Sequence, residues 1–196
     1  MSSRDKILLC ATEMFYQVGY SWTSVDDILK RCGVAKSNFY YHFESKEQLA
    51  FAVLDQWLAD QEALMVRTLQ CVDRTPKERM KLFLDQVCGS QVEYANMAGC
   101  PFGNFAAALP VMECDERHER FRVKLCEMFQ RIEDALTRCL AEGSRTGEFR
   151  SDIPPAEMAA LLWATLQGLL IFTKTRRSTQ ALCTGCGHFY QLILAC

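Results

Sequence analysis

Apolar residues recur along almost the whole chain at the spacing of an α-helix. The first segment shows the pattern at i, i+4, i+7, i+8 and i+11, with Ile7, Ala11, Met14, Phe15 and Val18. The sequence has no run of alternating apolar and polar residues that would indicate a half-buried strand. It therefore predicts an all-α protein of nine helices.

Capping signals show where several of these helices begin. Ser45-x-x-Gln48 and Thr75-x-x-Glu78 have the spacing of capping boxes, in which two side chains bind free backbone amides at a helix N-terminus. Glycine favours the positive φ at which many helices end. We therefore expect a long seventh helix from about Asp115 to Glu142, ended by Gly143 and Gly147.

Composition places the chain among ordinary globular proteins. Hydrophobic residues make up 49% and charged residues 23%, so the chain can bury a core. The apolar stretch from Met158 to Phe172 is interrupted by Gln167 and is shorter than the ~20 residues that a membrane span needs. No apolar leader follows Met1, and the eleven cysteines lack the spacing of a disulfide framework. We expect a cytoplasmic protein with free thiols, no membrane partner, and no bound metal or cofactor.

Three short helices near the N-terminus have the layout of a helix-turn-helix. Thr23-x-x-Asp26 and Ser24-x-x-Asp27 both resemble capping boxes for the second helix, which would end at Gly33. Because Gly33 can adopt positive φ at low cost, the third helix, from about Ala35 to His42, can leave the second at a steep angle.

The third helix is expected to have one buried and one exposed face. At 100° per residue, Phe39 and Phe43 share a face with Ala35, while Ser37 and Tyr41 point the opposite way. Exposed Tyr, Asn, Ser and Lys side chains suit a DNA groove, since they can bind base edges and phosphates. Core packing of the aromatic residues is the alternative. The net charge of -2 gives no global positive field, so the DNA interpretation depends on residue placement.

A longer motif runs through this region in three segments. They are Gly19-Tyr20-x-x-Thr23-Ser24-Val25-Asp26-Asp27-Ile28, Gly33-Val34-Ala35-Lys36, and Phe39-Tyr40-Tyr41-His42-Phe43-x-Ser45-Lys46-Glu47-x-Leu49. The motif resembles the DNA-binding region of the tetracycline-repressor (TetR) family over about the first 50 residues, with matching spacing throughout. Asn38 and Glu44 depart from the common pattern, where Thr and Lys are frequent, and this bears on the operator sequence and affinity.

The resemblance implies a fold and a function for the whole chain. The fold would have two domains, with the helix-turn-helix in residues 1–46 and a helical effector-binding and dimerisation domain in residues 47–196. The protein would be a homodimeric transcriptional repressor, not an enzyme, released from double-stranded operator DNA by a small, mostly apolar effector. The residues that the resemblance places at the DNA are Thr23, Ser24, Lys36, Ser37, Asn38, Tyr40, Tyr41, His42 and Lys46. Among these, Thr23 or Ser24, His42 and Lys46 would hold phosphates.

The second domain resembles the family less sharply. The segment Gly99-Cys100-Pro101-Phe102-Gly103-Asn104-Phe105-Ala106 looks like a motif that lies beside the ligand pocket in one branch of the family. Candidate ligand-binding residues are Met97, Cys100, Phe102, Phe105, Met112, Met128, Phe129 and Trp163. Aromatic and Met side chains at helical spacing more often belong to a core, so the prediction concerns the region.

Two cysteine features leave alternative functions open. Cys100 precedes a proline at an expected helix start, where backbone N–H dipoles stabilise a thiolate, so the same regulator could instead sense electrophiles or oxidants. A buried structural thiol is the default interpretation. Cys183-x-x-Cys186 could serve a thiol redox enzyme, but it supplies only two of four zinc ligands and lacks the strand context of a redox motif. Packing of the last helix is favoured there.

Helices eight and nine are expected to form the dimer interface. Small and apolar residues recur along helix eight at Ala160, Ala164, Gly168 and Ile171. Small side chains let two helices approach closely, and an apolar stripe beyond the core side indicates a second packing surface. Two-fold symmetry would then match a palindromic operator.

Overall fold

The computed structural model describes residues 1–93, 98–110 and 115–195, and this part contains nine α-helices. They are α1 (Ser3–Gln17), α2 (Val25–Cys32), α3 (Lys36–His42), α4 (Lys46–Arg67), α5 (Pro76–Glu93), α6 (Pro101–Ala107), α7 (Glu116–Thr146), α8 (Pro155–Arg176) and α9 (Gln180–Ile193). Within the described ranges, β pairing is limited to an isolated bridge between Phe149 and Leu194. The all-α prediction is confirmed.

Local capping sets the start of several helices. At α2 the box is Ser24–Asp27: the Asp27 amide donates to Ser24 Oγ at 3.1 Å, and the Ser24 amide donates to Asp27 Oδ2 at 3.0 Å. The Thr75–Glu78 box before α5 is formed in the same way, with distances of 3.3 and 2.9 Å. Each box satisfies two amides that would otherwise lack partners.

The end of α7 differs from the prediction. The helix continues through Gly143 to Thr146 and stops before Gly147, whose φ of 76° is left-handed. Gly143 is buried, and a Cβ at this position would collide with the ring of Phe149. Gly143 therefore makes room for the Phe149 ring. Of the two glycines, Gly147 has the left-handed conformation that ends a helix.

The chain divides into two compact units. The first contains Met1–Asp60 and Pro101–Leu125, and the second contains Gln61–Cys100 and Cys126–Cys196. The helix-turn-helix therefore shares its unit with α6 and the start of α7. The predicted boundary after residue 46 assigns those two helices to the second domain instead.

An aromatic cluster fills part of the core of the first unit. The ring of Tyr20 lies 4.8 Å from that of Phe105 and 5.6 Å from that of Phe121, and Phe15 meets Tyr20 edge-on at 5.3 Å. Phe51 stacks on Phe121 at 4.4 Å. Aromatic pairs at such distances add about 0.5–1.5 kcal/mol each beyond area burial. The cluster joins α4, α6 and α7 to the turn that follows α1.

The second unit is built on close packing of α9 against α8 and α5. A Cβ on Gly185 would lie 2.6 Å from Leu169 Cδ1, so the glycine permits the close approach of α9 to α8. By length and composition alone α8 could cross a membrane, but the same holds for a core helix of a soluble protein. Here α8 buries Met158, Leu162 and Leu166 together with four further residues.

Candidate nucleic-acid interface

Helix α3 has the two faces that its sequence predicts. Phe39 and Phe43 are 0% and 3% exposed, while Tyr41 is 83% and Tyr40 56% exposed. Ala35, expected on the buried side, is exposed and forms the N-cap of α3 without a side-chain hydrogen bond. Burial of the two Phe rings therefore holds this short helix, and it leaves the Tyr side chains free to meet a partner.

The turn before α3 orients its exposed face. Gly33 has a φ of 66° and ends α2, with its amide donating to Leu29 O at 3.0 Å. Any residue with a Cβ would be strained in this backbone conformation. The left-handed turn directs α3 away from α2 while Ile28 and Phe39 stay fully buried.

Lys36 stands at the edge of the exposed face in an ion pair. Its Nζ lies 2.9 Å from Asp26 Oδ1, and both side chains are exposed. The hydrogen bond to Asp26 raises the pKa of Lys36 above its usual value. Exposed pairs of this kind contribute little to stability, so Lys36 can exchange Asp26 for another anionic partner at little cost.

Thr23 and Ser24, the two alternatives for a phosphate contact, lie in different surroundings. Thr23 is 1% exposed, and its hydroxyl donates to Gly19 O at 2.9 Å, so this side chain stabilises the turn. Ser24 is exposed at the N-cap of α2, where its hydroxyl donates to Asp27 Oδ2 at 2.5 Å and lowers the pKa of Asp27. Only Ser24 presents its side chain to solvent.

The other two predicted phosphate ligands are partly buried. Lys46 Nζ lies 4.2 Å from the centroid of the Tyr20 ring, and burial lowers the pKa of Lys46. His42 has intermediate exposure and meets the ring of Tyr41 edge-on at 4.8 Å. The structure thus places Ser37, Asn38, Tyr40 and Tyr41 on an open surface and Lys46 against an aromatic ring.

One exposed aromatic residue in the turn before α2 was not among the predicted site residues. Trp22 is 83% exposed in the turn before Thr23. The sequence could have indicated this residue, since Trp22 stands between two polar residues, Ser21 and Thr23, at a position that the motif leaves unspecified.

The predicted effector residues fall into both units. In the first unit, Phe102 and Phe105 are buried, Phe102 against Trp57 at 6.1 Å and Phe105 against Tyr20. In the second unit, Phe129 and Trp163 pair at 5.9 Å. Cys100 and Met128 are buried there as well.

Met97 and Met112 lie outside the described residues. A surface depression of about 270 Å³ at the turn between α8 and α9 is lined by none of the predicted effector residues. No group of three His, Cys, Asp or Glu side chains in the described ranges is placed to hold a metal ion.

Comparisons with known proteins agree with this geometry. Residues 7–53 match the model of bacterial regulatory proteins of the tetR family, and residues 76–189 match the tetracyclin repressor-like C-terminal domain. The transcriptional repressor DhaR of Mycobacterium sp. (strain GP1) is 29% identical over 91% of this chain and 86% of that protein.

Two further matches cover most of the chain. The transcriptional regulator UidR of Escherichia coli (strain K12) is 29% identical over 86% of this chain and 80% of that protein. A solved TetR-family regulator from Agrobacterium tumefaciens has the same fold, with a TM-score of 0.88 and 21% identity over 98% of this chain and 97% of that one. Since both its N-terminal and its C-terminal segments match, the chain belongs to the tetracycline-repressor family of DNA-binding transcriptional regulators.

Proposed function

We propose that the chain is a homodimeric, cytoplasmic repressor that reads a palindromic operator with the exposed face of α3 and leaves it when a small apolar effector binds. The observation that carries the proposal is the arrangement of α3, in which two buried Phe rings fix the helix and Ser37, Asn38, Tyr40 and Tyr41 remain open. The activity is binding alone, so no residue is assigned to catalysis.

Each exposed group on and beside α3 has a partner in duplex DNA. The Asn38 amide can pair with the N6 and N7 edge of adenine, and the Tyr rings can contact phosphate or a thymine methyl. Ser24 and Lys36 flank the helix, and each can exchange its present carboxylate partner for a phosphate oxygen.

Truncation of Tyr41 tests this assignment. Tyr41→Ala should weaken operator binding by about 1–3 kcal/mol, which is roughly 5- to 160-fold, and leave folding unchanged. Fluorescence anisotropy with labelled operator measures the affinity. Leu9→Ala is the matched control, because Leu9 is 50% exposed on α1 of the same unit and has no place in the proposed interface. Equal affinity of Tyr41→Ala and the parent would contradict the assigned orientation of α3.

The surface of α8 supports the homodimer. Along this helix an apolar stripe, the α8 stripe, runs over exposed Ala160, Leu161, Ala164, Ile171 and Phe172 and half-buried Gly168. Leu161 and Ile171 are 55% and 60% exposed. Contiguous exposed apolar surface of this kind marks an interaction site, and the small residues permit close approach of a second α8.

We infer that the effector binds in the second unit, beside Met128, Phe129 and Trp163. Chain continuity links that unit to the DNA-reading unit, since Cys100 directly precedes α6 and α6 places Phe105 against Tyr20. A shift of α6 would move Tyr20 and the turn that leads into α2. An effector that prefers the released state by about 100-fold supplies roughly 2.7 kcal/mol, enough to change occupancy of the operator.

A further inference from the structure

Arg4, near the start of α1, lies over an aromatic ring at the end of α3. Its guanidinium carbon is 5.4 Å from the centroid of the Phe43 ring, within the range of a cation–π contact. Phe43 is 3% exposed and forms the C-cap of α3, directly after His42, whereas Arg4 is exposed. The contact therefore holds a cationic side chain at the surface, beside the end of the helix that presents Tyr40 and Tyr41.

The carboxylates closest to Arg4 in sequence or structure leave its charge without an ion pair. Asp5 belongs to the capping box of α1, in which its Oδ2 accepts from the Ser2 amide at 3.0 Å and its own amide donates to Ser2 Oγ at 3.2 Å. Glu44 follows Phe43 and is exposed. Within the described ranges, no carboxylate lies at ion-pair distance from the Arg4 guanidinium. Its charge therefore remains open to an anion from outside the chain.

Arg120, in the same unit, shows the opposite arrangement. Its guanidinium carbon lies 4.8 Å from the centroid of the Phe51 ring, and its Nη1 lies 3.3 Å from Glu47 Oε1. Both arginines thus lie against an aromatic ring, but only Arg120 is neutralised by a carboxylate.

The chemistry of an arginine held in this way suits a phosphate. The guanidinium stays charged at all physiological pH values, and its five N–H donors form a planar fork that matches two phosphate oxygens. Contact with the ring restricts the side chain in advance, so less conformational entropy is lost when an anion binds. When the exposed face of α3 enters a groove, the anions at the end of that helix are phosphates of the DNA backbone.

We propose that Arg4 is a phosphate-binding residue of the DNA interface, held beside the end of α3 by the ring of Phe43. The proposal rests on the proposed function in that α3 must face the DNA. Helix α1 then takes part in the interface, although the contact residues predicted from the sequence begin only at Thr23. A phosphate contact from α1 would fix the orientation of α3 in the groove without reading a base.

The salt dependence of binding to a labelled duplex of random sequence tests the contact, because phosphate contacts do not depend on base sequence. Arg4→Ala should reduce the slope of log affinity against log salt by about 0.9, the change for one lost phosphate contact. Arg4→Lys should keep the slope, since the charge remains, but bind less tightly because an ammonium group lacks the planar fork. Arg120→Ala is the matched control, since Arg120 also lies over a ring but is paired with Glu47, and its slope should equal that of the parent.

Thermal unfolding of the same variants identifies a purely structural role. If Arg4 only fastens α1 to α3, Arg4→Ala will lower Tm and leave the slope unchanged, which would overturn the proposal. An equal loss of slope in Arg4→Ala and Arg120→Ala would overturn it as well, because the effect would then be one of net charge. Failure of the proposed reading by α3 would show instead as an unchanged operator affinity of Tyr41→Ala, and the measurement on random DNA does not depend on that result.

Discussion

Helices α3 and α8 both leave large side chains in solvent, yet their exposed faces differ in chemistry. On α3 the exposed residues are aromatic or polar, and each carries a hydrogen-bonding group, as in Asn38 and Tyr41. On α8 the stripe consists of small or purely apolar side chains, such as Ala164 and Ile171. A DNA groove lined with donors and acceptors suits the exposed face of α3. A second copy of α8, as in the proposed homodimer, suits the α8 stripe.

Exposure alone does not identify the partner of a surface. Tyr41 at 83% and Ile171 at 60% both count as exposed large residues. Only the hydroxyl of Tyr41 can replace the hydrogen bonds that a wet DNA groove loses when a protein covers it. Ile171 has no hydrogen-bonding group. Its burial is therefore favourable against an apolar protein surface, which excludes water from the contact.

The largest expected effect comes from placing a charge in the α8 stripe. Ala164→Glu would bring two carboxylates toward the two-fold axis of the proposed dimer, so we expect monomers in sedimentation velocity. Loss of the second half-site should lower operator affinity by about 100-fold or more. Ala141→Glu is the matched control, because Ala141 is an exposed alanine on α7.

Two outcomes of that experiment would contradict the role proposed for the α8 stripe. If Ala164→Glu stayed dimeric at micromolar concentration, the α8 stripe would not be the interface. If it became monomeric but kept its operator affinity, binding would not depend on two linked recognition helices.

The smallest expected effect concerns the edge of α3. Lys36→Ala should reduce the slope of log affinity against log salt by about 0.9 for each phosphate that Lys36 neutralises in the parent, with little change in sequence preference. Asp26→Asn should strengthen binding at low salt, since it frees Lys36 from its 2.9 Å ion pair. The matched control is Lys81→Ala, because Lys81 forms a similarly exposed pair with Asp85 on α5. An unchanged slope for Lys36→Ala would remove Lys36 from the interface.

Local signals made much of the fold predictable. The helix-forming periodicity, the capping boxes at Ser24 and Thr75, and the turn at Gly33 depend on residues close in sequence, and the structure contains all of them. The exposed and buried faces of α3 follow from helix geometry alone, so Tyr41 and Phe39 lie where the sequence predicts.

Turn geometry and packing between elements, which helical periodicity does not describe, explain where the prediction was incomplete or wrong. The helix end predicted at Gly143 is wrong, because this glycine accommodates the Phe149 ring and that packing depends on the turn after α7. The Thr23 hydroxyl donates a hydrogen bond to Gly19 O within the turn. The geometry of that turn therefore decides that Ser24, and not Thr23, presents its side chain to solvent. Phe105 packs on Tyr20, far away in the sequence, so part of the motif associated with ligands lies in the core of the DNA-reading unit.

Selection of bound sequences from random DNA, with the parent and with Asn38→Ala, tests the central claim most directly. We expect a palindromic site for the parent, with half-sites centred about 10 base pairs or a multiple apart. For Asn38→Ala we expect the same palindrome with discrimination lost at one base pair in each half-site, worth about 1–3 kcal/mol. A site without two-fold symmetry, or an identical consensus for both proteins, would contradict reading of the operator by α3 in a homodimer.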